Sequence, residues 1–139
     1  MTDETTAAEQ TYTFEEFPEQ IAVVRLGPGA PIPEWAESSS IFSVTATAQQ
    51  TSLVCAARNV PTKARHERSF TAFALAGTRE PGKAAGLYAG LGVLVEAGLD
   101  AFVLSTFDTE WILVRRPDAE AAAAQWRRRG HTVAPATPA

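Results

Sequence analysis

A surplus of basic charge, a pair of cysteines and a long apolar run are all missing from this chain of 139 residues. Its formal net charge of -4 withholds the basic surface that nucleic acid or an anionic membrane requires, so neither is expected as a partner. A single cysteine, Cys55, excludes an internal disulfide and fits a reducing compartment, which makes the cytoplasm the expected location. No apolar stretch reaches the roughly eighteen residues of a membrane span, and the opening MTDETTAAEQ is acidic and polar where an export signal is basic and then apolar. Two histidines and one cysteine show no close metal-ligand spacing, so neither metal nor cofactor is expected. Cys55 sits between Val54 and Ala56 in a strand-like run, away from any helix amino terminus that would lower its thiol pKa. A nucleophile working with His66 or His131 is therefore set aside in favour of a small core residue. Gly27-Pro28-Gly29 lacks the following helix that a phosphate cradle needs. Arg127 to Arg129 are explained by a helix carboxyl terminus without any phosphate partner. No catalytic constellation remains, and the expectation is a protein that is not an enzyme.

What is present is a globular composition, 45% hydrophobic and 20% charged, long enough to bury about two-thirds of its unfolded surface without a staple. The organising stretch is Leu99 to Arg116, where two apolar, β-branched arms flank Phe107-Asp108-Thr109, a β-hairpin pattern. Neither face of it is wholly polar, so both are expected to be partly covered. Sliding Ile41–Cys55 along by sixty positions lays it on Ala101–Arg115 without a gap, Phe42 on Phe102 and Leu53 on Leu113, which predicts a structural repeat.

Around these hairpins the chain reads in order. Residues 1–10 and 135–139 are expected to be disordered tails. Thr11–Phe17 and Gln20–Leu26 form strands joined at Pro18. Glu34-Trp35-Ala36 makes a turn or two of helix with Trp35 against the sheet, and Lys63–Arg68 is a loop or short helix at the boundary between halves. Ser69–Ala76 is a strand ending at Gly77. Gly82–Ala97 is a helix with Leu87, Leu91 and Leu94 on one face, stopped by Gly98. Its Gly86, Gly90 and Gly92 each cost about 1 kcal/mol in a helix interior, which points to close packing or an approaching ligand. Pro117, the acidic first turn and Arg127–Arg129 before Gly130 bound a second helix, and His131–Val133 closes with a strand. The expected fold is α+β: two ferredoxin-like βαββαβ units in tandem, residues 11–66 with short helices and 67–134, built as antiparallel sheets with helices on one face.

These residues also carry a resemblance. Ile32–Ala36, Phe42–Thr45, Leu53–Cys55 and above all Leu104–Thr109 followed by Ile112–Val114 resemble small bacterial ACT-domain proteins. Those are relatives of the tandem ACT domains of the CASTOR arginine sensors and, more distantly, of aspartate kinase regulatory domains. The resemblance covers about residues 20–133. It implies two ACT units per chain, a homodimer or closely paired sheets, a small ligand, most often an amino acid, held between units, and no chemical reaction. In the arginine sensors a hairpin aromatic lines the pocket and an acidic residue three positions on pairs with the ligand's cationic end, positions that fall here on Phe107 and Glu110. Many relatives carry aspartate there, so Glu110 sets the charge one methylene further out. Gly77 and Thr78 fall in the loop that gives backbone groups to the ligand in ACT domains, and the family pattern is less well kept from Arg79 to Gly82.

From the residues themselves, Asp108 with Glu110 can anchor an ammonium or guanidinium group, or simply solvate a hairpin mouth. Thr106, like Ser105, can offer a hydroxyl to a carboxylate, or serve as an ordinary turn residue. The expected ligand-binding residues are Gly77, Thr78, Thr106, Phe107, Asp108 and Glu110. Two functions remain open: a regulatory or sensor protein that binds a small molecule, probed by an amino-acid panel, and a ligand-free dimerisation or protein-interaction module.

Overall fold

The computed structural model describes residues 10–77 and 83–136, so Thr78 and Arg79–Gly82 lie outside the described residues, as do 1–9 and 137–139. The strands are β1 (Thr13–Glu16), β2 (Ile21–Leu26), β3 (Ser43–Ala46), β4 (Thr51–Ala56), β5 (His66–Leu75), β6 (Ala101–Ser105), β7 (Glu110–Arg115) and β8 (Thr132–Pro135). The helices are α1 (Ala85–Glu96) and α2 (Ala119–Arg128), with 3-10 turns at Glu34–Ala36, Ala57–Asn59 and Arg116–Asp118. Chain contacts divide it into two compact units, residues 19–71 and residues 1–18 with 72–139, and the division falls inside β5. This differs from the expected split after residue 66: of Lys63–Arg68, expected as a loop or short helix, the first three residues are loop and His66 already begins β5.

The unit of residues 19–71 is a sheet of short strands packed on a core of small side chains. β2 pairs antiparallel with β4, β4 with β3, and the first half of β5 with β2. Its core is Ala22, Val24, Leu53, Cys55, Ala57 and Val60, with Ala36 buried and Trp35 packed at the margin. Each of β2 and β4 points alternate residues into that cluster, as the two-residue period of a strand requires. Glu19 anchors the loops, accepting from Arg58 Nε at 2.9 Å and from the Ser40 backbone N–H and hydroxyl at 2.9 and 2.6 Å. Burial pulls its carboxyl pKa up, but the Ser40 and Arg58 interactions outweigh this and hold it below the ordinary carboxylate range.

The other unit runs β1, the second half of β5, α1, β6, β7, α2 and β8. From β5 onward this is the strand-helix-strand-strand-helix-strand order read from the sequence. The expectation of wholly antiparallel sheets is corrected at one place: β1 pairs antiparallel with β5 but parallel with β8. A hairpin must be antiparallel, whereas β1 reaches β8 from the far end of the chain, so no tight turn fixes their direction. Residues 11–16, expected in the amino-terminal unit, therefore belong here by pairing.

The aromatic core explains the glycines of α1. Trp126 of α2 is fully buried, stacks on Phe14 with ring centroids 4.2 Å apart, meets Phe73 edge-on at 4.9 Å and donates its indole N–H to the Gly90 carbonyl at 3.1 Å. A Cβ at Gly90 would sit 2.9 Å from Phe14 and 3.1 Å from Ile112, and one at Gly86 would sit 2.5 Å from Leu75. Both glycines thus buy close helix-on-sheet packing, while at Gly92 there is open space. The buried face of α1 is Gly90, Val93 and Leu94, and Leu87 and Leu91 pack only at the core margin. Gly98 and Gly130, at φ of +75° and +90°, end α1 and α2 where a side chain would be strained.

Candidate functional site

The site is assembled where the sequence changes from strand to helix. β5 ends at Leu75, and Gly77 takes a φ of +79° that turns the chain away from the sheet. The first turn of α1 then returns beside the hairpin mouth and the start of β1. Between them lies a cavity of about 240 Å³, lined by Tyr12, Gly77, Lys83, Gly86, Asp108 and Glu110 among others. That is the size of a small metabolite rather than of a drug-sized ligand.

Each wall has a local cause. Glu110 is the first residue of β7 and only 4% exposed, because the period-two pattern that sends Ile112 and Val114 into the helix-side core sends Glu110 the same way. Asp108 is half-buried in the turn. Tyr12 is fixed twice: its hydroxyl donates to Gln10 Oε1 at 2.7 Å, and its backbone N–H donates to His131 Nδ1 at 3.0 Å. Burial, with Arg129 nearby, pushes the His131 pKa below the ordinary histidine value, in keeping with a ring nitrogen that must remain an acceptor. Gly86 leaves open the space that a Cβ there would contest with Leu75 and the Tyr12 ring. Ala84, the N-cap residue of α1, supplies no side-chain capping bond to the first turn.

The cavity therefore carries both signs of charge, the carboxylates of Asp108 and Glu110 and the ammonium of Lys83, beside an aromatic wall. Of the residues expected from sequence, Gly77, Asp108 and Glu110 come together here. Thr106 instead bonds across the hairpin turn, its N–H to the Thr109 carbonyl at 2.9 Å and its hydroxyl to that of Thr109. Phe107 stands 79% exposed at the tip and is not among the cavity's lining residues, and Thr78 lies outside the described residues. Tyr12 and Lys83 were not expected. Tyr12 is about sixty-five residues from Gly77 in sequence, and no local signal ties the two; the lone lysine just before an uncapped helix was a usable one.

Cys55 is buried in β4, and burial, with Glu19 nearby, pushes its thiol pKa up to about 11. A thiol so placed is a packing group, not a thiolate nucleophile. Among the described residues no cluster of His, Cys, Asp or Glu could hold a metal ion, and no helix is long and apolar enough to cross a membrane.

With this geometry in view the fold can be placed. It is ACT-like, an α+β arrangement with a mixed sheet and two α-helices shared with aspartate kinase regulatory domains. The chain is similar to a structural-genomics protein from Agobacterium tumefaciens, 25% identical, with a TM-score of 0.84 over 93% of this chain and 96% of that one. It is similar in fold to the regulatory subunit of aspartate kinase from Thermus flavus, 8% identical, with a TM-score of 0.62 over 87% of this chain and 99% of that one. The aspartate kinase of Clostridium acetobutylicum, an allosteric enzyme, aligns at 10% identity and a TM-score of 0.59 over 84% of this chain and 33% of its own. A family model for an N-terminal domain matches residues 19–63, and no curated protein matches the chain.

Proposed function

We propose that this is a regulatory protein of the ACT type that binds a small zwitterion, an amino acid, in the cavity beside Glu110. The observation that carries the reading is a buried carboxylate at 4% exposure in a cavity that also holds Lys83 and Asp108. An ammonium group is matched by the two carboxylates through charge-assisted bonds, and a carboxylate by Lys83 and the first-turn N–H groups of α1. Gly77 adds backbone groups, and the resemblance adds Thr78, Thr106 and Phe107 as ligand contacts to be tested. The ACT-like fold supports a regulatory rather than a catalytic role. The tandem arrangement, two ACT-type units per chain, is supported by the matching hairpins, and occupancy is passed on through self-association as a homodimer in the cytoplasm.

The test is a thermal-shift panel of the purified chain against the common amino acids. A ligand at one hundred times its dissociation constant adds about 2.7 kcal/mol, a rise of several degrees for a chain of this size. A shift with one class of amino acid that disappears in Glu110→Gln is the expected result, and a flat panel defeats the ligand reading. The second reading, a dimerisation or protein-interaction module without ligand, is favoured by a specific observation, the apolar edge of β6, with Phe102 39% and Val103 44% exposed.

A further inference from the structure

His131 is 7% exposed and is not among the lining residues of the cavity, yet it holds one of the cavity's walls. The parallel ladder between β1 and β8 explains why. In that ladder both backbone groups of Tyr12 turn toward β8. The Tyr12 carbonyl accepts the Thr132 N–H at 2.9 Å. β8 begins only at Thr132, however, and Gly130 turns the chain away at a φ of +90°, so the strand presents no carbonyl to the Tyr12 N–H. The His131 imidazole takes that place, and its Nδ1 accepts the N–H at 3.0 Å across 119 positions of sequence. A backbone N–H can only donate, so Nδ1 bears no proton and the ring is the neutral tautomer protonated at Nε2.

We infer that His131 is a positioning residue for the ligand cavity: its neutral imidazole holds Tyr12 in the cavity wall, its protonated imidazole releases Tyr12, and the ligand binds only in the neutral form. This rests on the reading of the cavity as a ligand site. β1 begins at Thr13, so Tyr12 precedes the strand, and its N–H and carbonyl are both held by the two residues His131 and Thr132. Its ring lies on the Gly86 side of the cavity, 3.2 Å from where a Cβ of Gly86 would stand, so a slide of the Tyr12 main chain reshapes the wall. Protonation puts a hydrogen on Nδ1 and turns the acceptor into a donor that faces another donor. The imidazole is packed between the Tyr12 ring, 5.8 Å away, and the Phe14 ring, edge-on at 5.7 Å. Held on both sides, it stays in place, and the Tyr12 main chain moves instead.

The groups around the ring agree with a switch on the acid side of neutrality. Arg129 comes from the turn after α2, and Glu96 and Tyr88 come from α1, across a groove of about 150 Å³ that His131 also lines. The Glu96 carboxylate is already engaged by Arg129, and Arg127 of α2 is directed to the Val133 carbonyl. β1 contributes Tyr12, and β8 carries no titratable side chain. Burial, with Arg129 nearby, keeps the His131 pKa below the ordinary histidine value. The neutral form therefore prevails at pH 7, and release begins below about pH 6.5. Linkage makes the effect reciprocal: a ligand that needs Tyr12 in place lowers the His131 pKa further.

The experiment is an NMR titration of the full chain without ligand, from pH 8 to pH 5, following the His131 ring protons and the amides of Tyr12, Gly77 and Gly86. The expected result is that the three amides move together, with the midpoint of the His131 ring. His131→Asn keeps an acceptor where Nδ1 stood but cannot be protonated, so its Gly77 and Gly86 amides should hold their pH 8 positions down to pH 5. His131→Phe has no acceptor and should show displaced amides at every pH. Glycine amides that ignore the His131 midpoint in the natural chain overturn the inference without recourse to any variant. Amides that titrate equally in His131→Asn, and so follow Asp108 or Glu110, overturn it as well. The amino-acid panel then carries the effect to binding. For an amino acid that shifts the melting midpoint at pH 7.5, the apparent affinity should fall toward about tenfold per pH unit below the His131 midpoint, and by less than about twofold in His131→Asn. An equal fall in both chains overturns the link to binding. A flat panel at pH 7.5 overturns the ligand reading and with it the binding half of this inference, while the positioning of Tyr12 stands or falls by the titration without ligand.

Discussion

The two hairpins share one backbone plan and differ in what they do with it. In each, a four-residue turn is closed by the same pair of groups: the Thr47 N–H to the Gln50 carbonyl at 2.8 Å, and the Thr106 N–H to the Thr109 carbonyl at 2.9 Å. The strands that follow, Thr51–Ala56 and Glu110–Arg115, and the 3-10 turns after them, Ala57–Asn59 and Arg116–Asp118, correspond residue for residue at a displacement of fifty-nine. The displacement of sixty expected from sequence matched Phe42 to Phe102 but was one residue out, and a one-residue slip exchanges the two faces of a strand. At fifty-nine, buried Leu53 meets buried Ile112, buried Cys55 meets buried Val114, and buried Thr51 meets buried Glu110. The position is interior in both hairpins, yet one holds a small hydroxyl and the other a carboxylate beside a cavity. In the second hairpin the equivalent position opens onto the cavity.

Cores of different weight go with this difference, and the largest expected effects test it. Trp126→Ala should cost about 3–5 kcal/mol by urea denaturation, since it removes a fully buried ring with two aromatic partners and its bond to Gly90. Leu53→Ala, in the smaller core, should cost about 2–5 kcal/mol and fall below Trp126→Ala. Equal costs would break the contrast between the cores.

Exchange at the equivalent interior position sharpens the comparison at the site. Thr51 is 3% exposed, so Thr51→Glu buries a carboxylate and should destabilise by about 1–3 kcal/mol or more. Glu110→Thr should leave a folded chain whose thermal shift with amino acids is lost, an apparent affinity reduced by about tenfold or more. Unchanged ligand shifts in Glu110→Thr would remove the carboxylate from the site.

The glycines of α1 give a smaller effect of opposite signs. Gly92→Ala meets nothing within 4 Å and should stabilise by about 0.5–1 kcal/mol, whereas Gly86→Ala, 2.5 Å from Leu75, should destabilise by about 1 kcal/mol and weaken ligand binding. Thermal midpoints of the two variants decide the matter.

The smallest effect is one of pH. Because the folded pKa of His131 lies below its unfolded value, the unfolded chain binds the extra proton first as acid is added. The stability His131 contributes is therefore whole above about pH 6.5 and declines as pH falls from there toward the folded pKa. Urea midpoints at pH 7.5 and 5.5 should differ by less in His131→Asn than in the natural chain.

Much of this was legible because local rules were sufficient. Both hairpins were marked by alternating arms around polar turns, both α-helices by their glycine stops at Gly98 and Gly130, and the need for close packing by Gly86 and Gly90. Glu110 and Asp108 were legible as a pair at a hairpin mouth. Tyr12 and Lys83 were not read, and Phe107, which the resemblance made a wall of the pocket, stands exposed at the hairpin tip outside the cavity's lining, because a turn residue's direction depends on the turn's closure and not on its neighbours' hydropathy.

By itself the sequence determined the elements, their order and the residues that end them, since capping, strand alternation and backbone strain act over a few positions. Which strand lies beside which was decided only by the tertiary structure. β1 runs antiparallel to β5, with Phe14 against Leu75, and this pairing sets Tyr12 beside Gly77 at the cavity that Glu110 also lines; β1 also runs parallel to β8, where Phe14 is buried against Trp126 across more than a hundred positions, and no local pattern encodes contacts at that range.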